Sequence, residues 1–118
     1  MTKERIATVI KKHYPDIPVF DSDIKKEEVA ENPSFFMFRM SNRYTRGESG
    51  RSLLQRVYVS FVTKEYKEIN VPLLAQDLQT VPLYFVDSDE ELGKIQGTDI
   101  EAMMVTMEFS MQVKGCMI

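Results

Sequence analysis

The chain has 118 residues, 43% of them hydrophobic and 28% charged, and a net charge of −3. That length fits one domain over 1–118 with a real core, and the seven Phe argue against disorder. The single Cys excludes a disulfide framework, no apolar run approaches the ~18 residues of a membrane span, and the mild negative charge implies no general attraction to nucleic acid.

The opening Met-Thr-Lys-Glu-Arg is charged and has no signal-peptide core, and a lone cysteine suits a reducing compartment. Residues 2–14 then read as a helix. Ile6, Val9, Ile10 and His13 fall at i, i+3, i+4 and i+7, which makes one face. Glu4 lies in the first turn, where the helix dipole favours an acid. Pro15 stops the helix, because the residue before a proline is pushed out of helical geometry.

Residues 17–24 contain Pro18 and read as a short edge strand. Residues 25–32 form a charged connection that Pro33 closes. Asn32-Pro33-Ser34 has the outline of a glycosylation acceptor, but the central proline blocks it. Residues 34–41 hold Phe35, Phe36, Met37, Phe38, Arg39 and Met40, apolar on both faces until Arg39. That suits a central strand covered on both sides at one end only. Residues 42–52, with Gly47 and Gly50, read as a long polar loop. Leu53–Thr63 alternates again, so the pair predicts a β-hairpin with a long tip.

A second helix starts at Asn70. Ile69 and Leu74 are spaced for a hydrophobic staple, and Pro72 fits the first turn. Leu74, Ala75, Leu78 and Val81 form its buried stripe, and Pro82 ends it. Residues 83–86 read as a short apolar strand, 87–91 as an acidic turn and 93–98 as a loop.

In Glu101–Val113 the odd positions are Met103, Val105, Met107, Phe109, Met111 and Val113, while the even ones are mostly small or polar. A period of two marks a half-buried strand. Thirteen residues would span about 43 Å, so a bulge or bend is expected partway, and part of the strand is expected to lie at an edge or project beyond the core, covered by a neighbouring subunit. The order is α-β-β-β-α-β-β. It predicts an α+β domain, a mostly antiparallel sheet of about four or five strands packed with two helices.

The inventory for catalysis is thin. His13 and Cys116 are single and far apart in sequence, and together cannot build a zinc site of the usual kind. Asp87-Ser-Asp-Glu-Glu resembles a calcium-loop opening, but Leu92 and Thr98 stand where Gly and Glu are required. Asp21, Asp23, Glu27 and Glu28 read as a solvated charged loop. No enzyme activity, metal or cofactor is expected.

Charge is the uneven feature. Arg39, Arg43, Arg46, Arg51 and Arg56 share their segment with a single acid, Glu48, leaving it about +4 and the remainder about −7. Asp87, Asp89, Glu90 and Glu91 are an obvious counterpart. The arginines are a solvated loop, or dock on acids of another copy or protein, or touch phosphates. A basic and an acidic patch on one subunit suit a head-to-tail contact, with Arg43, Arg46, Arg51, Arg56, Asp87, Asp89, Glu90 and Glu91 as interface candidates.

The order also resembles a family. An amphipathic N-terminal helix runs into Tyr14-Pro-Asp-Ile-Pro-Val-Phe; Asn32-Pro-Ser-Phe-Phe-Met-Phe follows; an arginine-bearing hairpin leads to Val57-Tyr-Val-Ser-Phe; a helix begins after Glu68-Ile-Asn; a strand closes the domain. In order and spacing this is similar to the tail-terminator (tail-completion, minor structural) proteins of long-tailed bacteriophages and prophages. The resemblance implies a ring, usually hexameric, that caps the tail tube and meets the head connector at the tail–head junction of the virion, after assembly in the bacterial cytoplasm. It implies no enzyme activity and no cofactor. The partners it implies are other copies, the tail tube protein and the head–tail connector protein. Nucleic acid enters only as DNA passing through the ring, and no membrane is involved. The 42–52 loop is the candidate to reach the tube or channel. The alternatives are another neck component, a connector or stopper, and a small bacterial α+β binding or regulatory domain.

Overall fold

The structure, a computed structural model, describes residues 2–21, 31–46, 53–94 and 101–113. Its elements in chain order are helix α1 (Thr2–His13), strands β1 (Val19–Asp21), β2 (Ser34–Arg46) and β3 (Leu53–Thr63), helix α2 (Val71–Leu78), and strands β4 (Tyr84–Lys94) and β5 (Glu101–Val113). The five strands form one sheet in the order β1-β2-β3-β5-β4. Only the short β1–β2 pair is parallel; the other three are antiparallel. The fold is α+β, as the element order predicts.

The core lies between one sheet face and the two helices. Alternation in the strands puts Phe36, Phe38, Val57, Val59, Phe61, Val105, Met107 and Phe109 on that face, where Ile6, Ile10, Leu74 and Leu78 meet them. Phe36 is the hub, with ring centroids 4.8 Å from Phe61 and 5.4 Å from Tyr14. Burying each such side chain contributes roughly 1.5–3 kcal/mol. A smaller cluster of Phe35, Val62 and Ala102 sits on the opposite face.

Both helices start and stop for local reasons. Lys11, Lys12 and His13 crowd the last turn of α1, where cations suit the dipole. Asn70 caps α2: its side-chain oxygen accepts from the Leu73 amide at 3.0 Å. The helix ends at Leu78, short of Val81, and the amides of Val81 and Leu83 turn back onto the Leu78 carbonyl. The Val81–Pro82 peptide is cis. The C-terminal end of α1 is tied to α2 and its N-cap by polar contacts. His13 Nε2 pairs with Asp77 Oδ2, and the Asn70 amide donates to the Tyr14 hydroxyl at 2.9 Å.

Three sequence expectations need correction. Residues 87–91 are not a turn but the middle of β4, an edge strand exposed along all eleven residues. With no buried face it has no need of alternation, so the pattern that marks other strands is missing. Residues 42–46 continue β2 rather than opening the loop; a register shift between Met40 and Tyr44 absorbs the irregular polar stretch. The Gln55 Nε2 donates to the Ser41 carbonyl there at 2.9 Å. Finally, β5 is neither bulged against β3 nor an edge. It pairs with β3 in unbroken register from Leu53↔Val113 to Thr63↔Met103. The bulges fall in its surroundings, in β2 and between Phe85 and Asp87 of β4.

Candidate assembly interface

The sheet continues past its core. The row of Gln55 and Met111 is the last in which a described side chain packs on the main core, through the half-buried Met111, yet β2, β3 and β5 run on for two more rows, roughly 7 Å. This three-stranded blade carries the arginine-bearing hairpin. The molecule measures 47 Å along its long axis against 28 and 23 Å. Tyr44 at 49% and Leu53 at 36% exposure mark its solvated end.

On the face away from the helices, register sorts charge by strand. Arg39 of β2, Tyr58 of β3, Glu108 of β5 and Asp87 of β4 stand in one row. The next rows run from Met37 to Asp89 and from Phe35 to Glu91. All three rows end in an acid on β4, and the first begins with an arginine on β2. The Arg39 guanidinium lies 5.3 Å from the Tyr58 ring centroid, a cation–π contact. Between β3 and β4 this face forms an open groove of about 220 Å³ lined by Tyr58, Thr106, Glu108, Asp87, Asp89 and Glu91.

The eight interface candidates separate into distinct places. Arg56 is engaged within its own chain: its Nη1 is 3.2 Å from Glu108 Oε2. Arg43 and Arg46 stand on β2, with side chains outside the described residues, and Arg51 lies outside them altogether. Asp87, Asp89 and Glu91 share the groove face, whereas Glu90 points to the other side of β4. None of these four acids pairs with a basic side chain among the described residues. Asp87 and Asp89 each accept from the next backbone amide, Ser88 at 2.8 Å and Glu90 at 2.9 Å. The described structure brings no arginine of the hairpin against the acids of β4.

Sequence reasoning missed the exposed apolar side chains of this strand. Tyr84, Phe85, Val86 and Leu92 stand out on β4, and Leu92 is 71% exposed. The signal was Tyr84-Phe85-Val86, a strongly β-prone run at the start of the element. It also missed Arg39 as the basic end of the charged row.

The remaining chemical candidates are spread out. His13 is held by Asp77, Asp21 pairs with Lys3 at 3.1 Å, and Asp23, Glu27, Glu28 and Cys116 lie outside the described residues. Among the described residues no three His, Cys, Asp or Glu side chains are grouped to hold a metal ion. No helix among them is long and apolar enough to cross a membrane. No protein-family model matches this chain, and a comparison with curated proteins finds no match.

Proposed function

We propose that this chain is a structural protein of a phage or prophage tail. It forms an oligomeric ring that caps the tail tube and joins it to the head connector. The observation that carries the reading is the blade. Strands that run on by roughly 7 Å past the last row packed on the core leave surface that the fold of one subunit does not bury. Opposite charge on two outer strands, arginines on β2 and acids on β4, gives the sheet a direction, which suits head-to-tail association. The order of helix, arginine-bearing hairpin, helix and closing strand resembles the tail-terminator proteins, and the resemblance supplies the biological setting. In that setting the ring sits at the tail–head junction, and DNA passes through it.

Native mass spectrometry at micromolar concentration, with and without purified tail tubes, tests this. The expected result is a discrete ring, or a ring that closes on the tube end. Capture by tube protein supports a terminator, and capture only by portal-side proteins supports a connector or stopper instead. A chain that stays monomeric and binds neither has a different function.

A further inference from the structure

We propose that the free edge of β4 is the docking strand for a second copy of this chain, which contributes the arginine-bearing half of its β2. The proposal rests on the assembly reading above and names the interface within it.

Among the described residues β4 pairs only with β5, so its outer backbone groups face solvent along eleven residues. Such an edge is a template for another strand. Its exposed Tyr84, Phe85, Val86 and Leu92 offer apolar surface to a partner. Its acids select which partner. Pairing β4 with β4 of another copy would bring Asp87, Asp89, Glu90 and Glu91 against the same acids, and like charges facing across strands destabilise a pair.

The complementary edge is on the same chain. β1 covers the outer side of β2 only from Phe36 to Phe38. From Arg39 to Arg46 the strand holds three arginines and no acid. No other strand among the described residues pairs with that side. Direction fits as well. β2, β3, β5 and β4 alternate in direction, so β2 runs antiparallel to β4. A copy shifted sideways, with the same face up, therefore presents its β2 antiparallel to the waiting β4.

The offset follows from the register. Asp87 is level with Arg39, and Glu91 lies farther from the blade tip, level with Phe35. β1 blocks that lower level on the incoming copy. Setting the acids opposite Arg39, Arg43 and Arg46 requires a stagger of four or five residues, about 15 Å. Each copy uses one edge as donor and the other as acceptor, a head-to-tail arrangement that closes into a ring when the rotation between copies permits and continues as an open filament when it does not.

Charge reversal with rescue tests the interface. One variant carries Asp89→Lys, Glu90→Lys and Glu91→Lys; the other carries Arg43→Glu and Arg46→Glu. Each alone should associate at least about tenfold more weakly than the wild type in native mass spectrometry and light scattering. An equimolar mixture should recover assembly with the two variants alternating. Hydrogen exchange on the wild type provides a check that needs no variant: β4 amides should slow at least about tenfold on assembly. An oligomer that persists unchanged in the β4 variant, or leaves β4 amides unprotected, overturns this interface and leaves the ring reading standing. A wild-type chain that never associates, alone or on tail tubes, overturns both.

Discussion

Arg56 and Glu108 form a diagonal ion pair across β3 and β5, 3.2 Å from Nη1 to Oε2, with only 26% and 32% of their side chains exposed. Register makes Arg56 face Ser110 and Glu108 face Tyr58, so the pair leans across one step of the ladder. Diagonal neighbours are within reach of long side chains. This arginine therefore works inside the subunit. A double-mutant cycle of Arg56→Ala and Glu108→Ala in urea should give a coupling of about 0.5–1 kcal/mol that shrinks in high salt. A coupling of zero at low salt would show that the pair contributes nothing.

The base of the sheet depends on one hydroxyl. Thr63 is fully buried, and its Oγ1 lies 2.8 Å from Ser34 Oγ. The same oxygen accepts from the amides of Glu65 and Lys67, both at 3.2 Å. Thr63→Val keeps the shape and strips all three of their partner. The expected loss is about 1–3 kcal/mol, read as a lower urea midpoint with an unchanged slope. Thr63→Ser keeps the oxygen and should lose only about 0.5–1.5 kcal/mol for the missing methyl. Equal losses in the two variants would move the cause from hydrogen bonding to packing.

What the residues revealed in advance follows how much each strand is buried. Val105, Met107 and Phe109 alternate because one face of β5 is core, so periodicity exposes the strand. Phe35 and Phe36 are buried on opposite faces, and the unbroken aromatic run reported this as a strand covered on both sides. On β4 the same logic fails. Asp87, Asp89, Glu90 and Glu91 are poor strand formers, and the ladder to β5 holds them extended without any burial. Acidic residues beside a Gly then look like a turn. In the candidate site, composition exposed the charge asymmetry. It could not show that Arg56 answers Glu108 rather than the β4 acids, because that choice depends on register between strands far apart in sequence.

The helix pair offers a separate test of tertiary linkage. Two of its polar ties are His13 with Asp77 and the Asn70 amide with the Tyr14 hydroxyl. Tyr14→Phe keeps the ring on Phe36 and removes only the acceptor, so about 0.5–1 kcal/mol should be lost. Asp77→Ala should cost about 1 kcal/mol, since the His13 side chain is only 16% exposed and loses its partner. Both changes should speed hydrogen exchange in α2 more than in β3 and β5, because the sheet ladder does not pass through these bonds. Uniform acceleration across all elements would mean the helices and sheet open as one unit.

The arginines beyond Arg56 should separate folding from assembly. Arg43→Glu, Arg46→Glu and Arg51→Glu together place three acids on the hairpin, away from the buried row at Val57 and Phe109. Substitutions outside the core and its polar network usually change stability by no more than about 0.5 kcal/mol, so the urea midpoint should barely move. Arg56→Glu is the contrast. It puts a carboxylate against Glu108 on a surface that already carries Asp87 one strand away, and should lower the midpoint clearly. Under the proposed assembly, association responds in the opposite order: the triple variant abolishes ring formation and tube docking, while Arg56→Glu weakens them only through stability. Light scattering and a tube-binding assay on both proteins decide the matter. Intact assembly in the triple variant would reduce these arginines to a solvated connection and leave the blade without a charged role.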